Sequence, residues 1–156
     1  MYKTILVPYD VSKHSDHALK HAVKLAKNFN SKLILLHVIP DIPFPPTLLN
    51  VGKILRSKKT GEVITSREYL KELYNEMKNE AIKMLNDEIK DFDITIDIRI
   101  LVGHPAKQII EFLKKEKIDL IVMGTSGLSG LSKIKALGSV SRYVIENTNV
   151  PILLIH

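Results

Sequence analysis

Gly124, Gly127, Gly130 and Gly138 are four of the seven glycines in the chain, and all fall in one short stretch. The stretch opens where the apolar run Asp119-Leu-Ile-Val-Met123 stops, and the helical pattern Ser139-Val-Ser-Arg-Tyr-Val-Ile-Glu146 follows it. Glycine tolerates positive φ and lets a ligand approach the main chain without meeting a Cβ. A glycine-rich turn between a strand and a helix start offers free N–H groups to an anion, usually a phosphate. Gly138-Ser139 stands at such a start, where unsatisfied N–H groups and the helix dipole favour negative charge. Lys133 and Lys135, in the same stretch, are placed to neutralise further phosphate charge.

Other chemistries find less support. The Gly-x4-Gly-Lys-Ser/Thr pattern of a P-loop is absent, and so is a Gly-x-Ser-x-Gly nucleophile elbow. The absence of cysteine excludes disulfides, thiolate metal sites and a cysteine nucleophile. His14, His17 and His21 have helical spacing but stand among Lys20 and Lys24 on a polar face, with only Asp16 nearby, which suits solvent better than a metal. His37 reads as a packed or hydrogen-bonded residue near the end of a strand. His104, between Gly103 and Pro105, reads as part of a turn at a strand's carboxyl end.

The elements that must position these groups alternate. Thr4–Val7 reads as a short buried strand stopped at Pro8, and residues 15–28 as a helix with Ser12 or Ser15 as its N-cap. Lys32–Ile39 is a second strand, stopped by Pro40. Residues 40–65 form an irregular, proline-rich and basic insert, with a helical turn expected around Leu48–Leu55. Residues 66–90 carry a strong helical period, whose stripe of Leu70, Leu73, Tyr74, Met77, Ala81, Met84 and Leu85 reads as core. Ile94, Ile96, Ile98 and Ile100 alternate with polar residues, as in a strand with one wet face. A helix over Pro105–Lys115, a strand over Ile118–Met123, a helix over Ser139–Glu146 and a strand over Val150–Ile155 complete the chain. This order implies a mainly parallel sheet with helices on both faces. The third strand, alone in alternating, is the best edge. Ligands of such sheets bind beyond the carboxyl ends of the strands, where the strand order reverses.

Val7-Pro-Tyr-Asp10-Val-Ser12, the Gly103-x-Pro105 step and Val122-Met-Gly124-Thr-Ser-Gly127 followed by Gly138-Ser139-Val140 resemble the universal stress protein family, over essentially the whole chain, 1–156. The resemblance implies a single α/β domain: an open five-stranded parallel sheet of order 3-2-1-4-5, Rossmann-like and similar to the adenine nucleotide alpha hydrolases. It also implies an ATP site in the branch carrying Gly-x2-Gly-x9-Gly-Ser/Thr. Here ten residues separate Gly127 from Gly138, one more than that pattern has, and a bulge around Gly130 to Ser132 would absorb it. Carried over by position, Pro8, Tyr9 and Asp10 would lie against adenine and ribose, and the Val38 main chain would bond the adenine edge. Met123 and Gly124 would floor the ribose-phosphate region. Gly127, Gly138, Ser139 and Val140 would hold phosphates. Mg²⁺ or Mn²⁺ would arrive with the phosphates. No catalytic or protein-held metal residue is implied, so any enzyme activity is at most that of a weak ATPase. The alternative is a non-nucleotide-binding dimeric interaction module of the same family, which the extra residue before Gly138 would suit.

The remaining expectations concern partners. Lys+Arg 23 against Asp+Glu 17 gives a net charge of +6, spread along the chain, and no nucleic-acid motif is recognisable, so nucleic acid is not an expected partner. No apolar run suits a membrane span or a signal peptide, and the cytoplasm is the expected compartment. Val150-Pro-Ile-Leu-Leu-Ile155 is apolar and uncharged, yet the order 3-2-1-4-5 makes it an edge. Bare apolar edges invite another chain, and the resemblance implies a homodimer through this strand.

Overall fold

The computed structural model describes residues 1–43, 55–125 and 137–156. Within them the chain runs β1 (Thr4–Pro8), α1 (Lys13–Phe29), β2 (Lys32–Ile39), β3 (Leu55–Arg56), β4 (Val63–Ile64), α2 (Ser66–Ile89), β5 (Ile96–Val102), α3 (Pro105–Lys115), β6 (Leu120–Gly124), α4 (Ser139–Asn147) and β7 (Ile152–Ile155). Five strands form one sheet in the order β5-β2-β1-β6-β7. Every pairing in it is parallel. Counting these five strands alone, the order is 3-2-1-4-5, and the alternating strand β5 is an edge as expected.

Side chains alternate across a strand, so a strand covered on both faces must be apolar throughout. Ile5, Val7, Leu33, Leu35, Leu120 and Val122 turn to one face and pack with Ala18, Leu19, Ala22, Val23 and Ala26 of α1 and Leu85 of α2. Leu6, Ile34, Leu36, Ile121 and Met123 turn to the other face and meet Ile109, Ile110 and Phe112 of α3 and Val144 of α4. In β5, Ile96, Ile98 and Ile100 join the first cluster. Asp97 and Arg99 pair with one another at 3.0 Å, and Asp97 also meets Lys32 at 3.0 Å. The hydrogen bond from Arg99 holds the Asp97 carboxyl below its ordinary range despite partial burial.

Local chemistry sets the helix ends. Ser12 caps α1, its hydroxyl accepting from the Ser15 N–H at 3.2 Å. Thr65 and Glu68 form a reciprocal capping box on α2: the Thr65 hydroxyl accepts from Glu68 N at 3.2 Å, and the Glu68 carboxylate accepts from Thr65 N at 2.8 Å. The Thr65 N–H and the Thr65 hydroxyl both donate to the Glu68 carboxylate at 2.8 Å, and these bonds lower its affinity for a proton.

Two sequence expectations need correction. Residues 40–65 are not irregular throughout, because β3 and β4 pair as a short antiparallel hairpin. Leu55 belongs to that hairpin, and the rest of the helical turn expected from Leu48 lies outside the described residues. The apolar stripe of α2 is also not core along its whole length. Ala81 and Leu85 are buried, whereas Leu70, Leu73, Tyr74 and Met77 are only partly so and belong to neither cluster. The reason is length. A helix of 24 residues spans about 36 Å, whereas the seven residues of β5 span roughly 23 Å. The first turns of α2 therefore overhang the sheet. There the hairpin is tied to them by Ser57 Oγ donating to Glu72 (2.6 Å) and by the Lys58–Glu76 ion pair (2.9 Å).

The two halves of α2 should respond differently to truncation. Leu85→Ala, at a site with no exposure, is expected to cost about 2–5 kcal/mol, and Leu70→Ala clearly less. Equilibrium urea unfolding of both variants checks this; equal losses would mean that the overhanging half is as well packed as the core.

Candidate functional site

The carboxyl end of β1 is made by proline chemistry and a strained turn. Pro8 lacks an N–H and is the last residue of the strand. Tyr9 N still donates to Leu36 O at 2.9 Å, and the chain then turns away. The Asp10 carboxylate accepts from Ser12 N at 3.1 Å, closing a tight turn around Val11. Val11 holds φ 65°, a left-handed conformation that is costly for a β-branched residue. Strain of this kind survives only where the surroundings fix the turn, and it gathers at functional sites.

Gly124 ends β6 beside the first turn of α1. A Cβ built there would stand 2.7 Å from His14 Cβ and 2.9 Å from the His14 carbonyl carbon. Only glycine lets the end of β6 and the start of α1 approach this closely. Two bonds then seat α4 on the same strand end: Gly138 N donates to Thr125 O (2.7 Å), and Ser141 Oγ donates to Gly124 O (2.9 Å). Gly138 is the N-cap of α4, and no side chain caps the helix. Among the described residues, the first N–H groups of α4 thus have no side-chain cap of the kind that α1 and α2 possess.

These ends surround a cavity of about 440 Å³. The turn after β1 contributes Pro8, Tyr9, Asp10 and Ser12; β2 and its continuation contribute Leu36, His37, Val38 and Pro40. Met123 and Gly124 of β6 and Gly138, Ser139, Val140 and Ser141 at the head of α4 form the facing wall. Ser15 of α1 and Pro105 and Ile109 of α3 complete the lining. Of the ten residues singled out from the sequence, Gly127 lies outside the described residues; the other nine line this one cavity.

Three details go beyond position. The Tyr9 ring belongs to the cluster under α1, where its hydroxyl donates to Asp16. Its ring is therefore turned into the core, while Tyr9 still lines the cavity beside Pro8 and Asp10. Burial, reinforced by the Asp16 carboxylate, pushes the Tyr9 phenol far above its ordinary range, so it stays protonated. His37 Nδ1 lies 2.9 Å from Tyr9 O, so that nitrogen carries the proton and the ring is the hydrogen-bonded histidine expected from the sequence. Finally, the Leu36 carbonyl turns to β1, where it accepts from Tyr9, and the Ile39 carbonyl turns to β5, where it accepts from Gly103 at 2.9 Å. By the alternation of a strand, the N–H and C=O of Val38 turn toward the β1 side, level with the end of that strand. They present one donor and one acceptor at the cavity.

The remaining histidines serve elsewhere. His17 Nδ1 lies 3.2 Å from His156 O, and His104 is the exposed N-cap of α3 without a side-chain cap bond. Sequence reasoning did not place Ser12, Ser15, Pro40, Pro105, Ile109 or Ser141 in the site. A usable signal existed for Ser141, two residues after Ser139 in the first turn of a helix. Pro105 and Ile109 arrive only through the sheet order. A second concavity of about 610 Å³ lies at the opposite end of the sheet, among Ala26, Asn30, Lys32, Asp93 and Asp97. Its Lys32 and Asp97 neutralise one another.

Comparison with known proteins gives a consistent picture. The family model described as the universal stress protein family matches residues 1–156. The chain is 37% identical over 155 residues to universal stress protein MJ0531 of Methanocaldococcus jannaschii, covering 99% of this chain and 82% of that protein. Its fold is similar to the solved structure of hypothetical protein MJ0577, with a TM-score of 0.75 and 31% identity over 99% of this chain and 96% of the other. It is also similar to a universal stress protein solved in complex with cAMP, with a TM-score of 0.62 and 26% identity over 99% and 97% of the two chains.

The glycine contact makes a direct prediction. Gly124→Ala should destabilise the fold by about 1–3 kcal/mol, because the new methyl meets main-chain atoms of α1 that cannot swing aside. Thermal unfolding measures it, and an unchanged or raised melting temperature would show that α1 gives way freely.

Proposed function

The chain belongs to the universal stress protein family, and we propose that within it this protein is an adenine-nucleotide-binding homodimer, cytoplasmic and regulatory in role. One observation carries the reading: the N-terminus of α4, with no side-chain cap among the described residues, and the main-chain N–H and C=O of Val38 line a single apolar-floored cavity. The first suits a phosphate. The second suits the edge of adenine, which offers an amino donor beside a ring-nitrogen acceptor; guanine presents the opposite order there. The likeness to a family member solved with cAMP supports an adenine ligand.

ATP is the nucleotide we assign. Pro8, Val38 and Met123 would hold the base and sugar, with Asp10 beside the ribose. Gly138, Ser139 and Val140, with Gly127 from the glycine stretch, would hold the phosphates. Mg²⁺ or Mn²⁺ would enter on the phosphates. The reading assigns at most slow hydrolysis. Asp10 is the one carboxylate lining the described cavity, and its Oδ1 is already engaged by the Ser12 N–H. Occupancy would instead be read by a partner protein, through the rim formed by α4 and the turn after β1.

The dimer reading rests on β7. It pairs with β6 on one side only, and none of its four residues is charged. Leu153 is 37% exposed. A second copy adding its β7 antiparallel would satisfy the open edge of both chains.

Two experiments test these assignments. The first titrates stripped protein with ATP, GTP and adenosine by calorimetry, after any small molecule released on denaturation has been identified by mass spectrometry. ATP should bind in preference to GTP. Ser139→Asp should weaken ATP binding at least about tenfold through like-charge repulsion while leaving adenosine binding and the melting temperature intact, since an acidic first turn suits the dipole. Equal loss of adenosine and ATP would refute the phosphate assignment. Absence of all nucleotide binding would leave the interaction-module alternative. The second is sedimentation of the wild type and Leu153→Lys: the wild type should run as a dimer and the variant as a monomer with unchanged helical content. A dimer in both would place the interface elsewhere.

A further inference from the structure

The ladder between β1 and β2 stops one rung early, and a side chain stands where that rung would form. The two strands are in register from Thr4 opposite Lys32 to Pro8 opposite Leu36. In a parallel pair, alternate residues of one strand bond the other through both their N–H and their C=O. Tyr9 N donates to Leu36 O at 2.9 Å, so the next rung would run from Val38 N to Tyr9 O. The register ends before it, and among the described residues no main-chain bond joins those two atoms. Tyr9 O accepts instead from His37 Nδ1, at 2.9 Å.

Strand alternation puts the imidazole in reach. The His37 side chain turns to the face of Leu33 and Leu35, where the Tyr9 ring is also packed. Val38 turns to the opposite face, against the second cluster. Tyr9 is buried and held at three atoms: its N–H by Leu36 O, its carbonyl by His37 and its hydroxyl by Asp16. The carbonyl that would close onto Val38 is thus fixed on another donor, just before the strained turn at Val11. The bond needs no particular protonation state, since the neutral Nδ1–H tautomer and the imidazolium both donate from Nδ1.

We infer that His37 is a positioning residue for the nucleobase: its imidazole takes the Tyr9 carbonyl in place of the Val38 N–H, and so keeps that N–H open to the cavity. The ligand in this inference rests on the nucleotide reading above; the strand-end bond does not. Remove the imidazole, and a buried carbonyl is left beside a main-chain donor that also lacks a partner. Groups in that state cost free energy, and closing the missing rung satisfies both. The donor meant for a ring nitrogen of adenine would then be occupied within the protein. A direct role for His37 on phosphate fits less well, because the phosphate-holding groups stand at the head of α4 on the facing wall.

Hydrogen exchange of the Val38 amide, followed by NMR on the ligand-free protein, tests the strand-end bond without any nucleotide. In the wild type this amide should exchange at least about tenfold faster than that of Tyr9, which is bonded to Leu36. In His37→Leu it should slow by at least about tenfold, whereas His37→Asn, whose amide nitrogen falls at the place of Nδ1, should match the wild type. Should His37→Leu fail to fold, His37→Gln serves, because its amide reaches past that place. Calorimetry reads the consequence. His37→Leu should bind ATP and adenosine more weakly by the same factor, about three- to tenfold, as the loss of one hydrogen bond gives. His37→Asn should stay within about twofold of the wild type. A wild-type Val38 amide as protected as that of Tyr9, or one that does not slow in His37→Leu, would overturn the inference. So would undiminished adenosine binding in His37→Leu, or an equal loss in His37→Asn. A wild type with the expected exchange but no affinity for adenine nucleotides would overturn the nucleotide reading alone; the exchange would still support His37 as the group that keeps Val38 open.

Discussion

The architecture of the candidate site depends on one close approach, that of Gly124 to His14. It brings the end of the fourth sheet strand against the first turn of α1 with no room for a side chain between them. That contact aligns two helix starts at the same end of the sheet, one on each face. The Gly138–Thr125 and Ser141–Gly124 bonds can close onto α4 only because the end of β6 is held in place. In the neighbouring turn between Pro8 and Ser12, closed by the bond from Ser12 N to the Asp10 carboxylate, Val11 takes an unfavourable dihedral. The site is thus a consequence of packing as much as of its own residues. A cavity wall of main-chain groups needs strand and helix ends brought together, and glycine is what permits it.

The rest of the fold supplies a rigid floor. Residues of alternate parity in β1, β2 and β6 fill two separate clusters, one under α1 and α2 and one under α3 and α4. Neither cluster tolerates a register slip, because a shift of one residue exchanges all the side chains between faces. At the amino end, the Asp119 carboxylate accepts from Lys3 N (2.8 Å) and Thr4 N (2.9 Å), which fixes β6 against β1 where the ladder begins. Those two bonds lower the Asp119 proton affinity. The carboxyl ends are then free to diverge, as a binding crevice requires.

Much of this was legible because its signals are local. Lys32–Ile39 and Pro105–Lys115 were bounded correctly by prolines on one or other flank. Ile96, Ile98 and Ile100 announced an edge strand through their alternation. The capping box Thr65-x-x-Glu68 was also legible, and reading it would have fixed the start of α2. What could not be read was relative length and side-chain direction. Nothing local to Leu70 or Leu73 says that β5 ends before the helix does. Nothing in Pro8-Tyr9-Asp10 says which way the Tyr9 ring turns; the two core faces decide that. The hairpin of β3 and β4 was missed because two-residue strands carry no period. The nine described residues attributed to the site by resemblance do converge, whereas Pro105, Ile109 and Ser15 enter through tertiary proximity alone.

The contrast between the two ends of the sheet explains why one is the candidate site and the other is not. Both ends are concave, and the amino-end hollow is the larger. Volume therefore does not decide the matter; unsatisfied polarity does. At the amino end the charges at the strand edge are paired: Lys32 meets Asp97, and Asp97 meets Arg99. The backbone there is closed as well, with the Asn30 N–H bonded to Ala26 O in a left-handed C-cap. At the carboxyl end, parallel connectivity delivers helix N-termini, and α4 arrives without a side-chain cap. Val38 faces the same space with a donor and an acceptor that the short β1 strand is not long enough to pair. Buried or half-buried polar groups cost free energy when left without partners. A fold that leaves several of them converging on one apolar-floored cavity is stabilised by a ligand carrying the complementary groups, and that asymmetry gives the carboxyl end its chemistry.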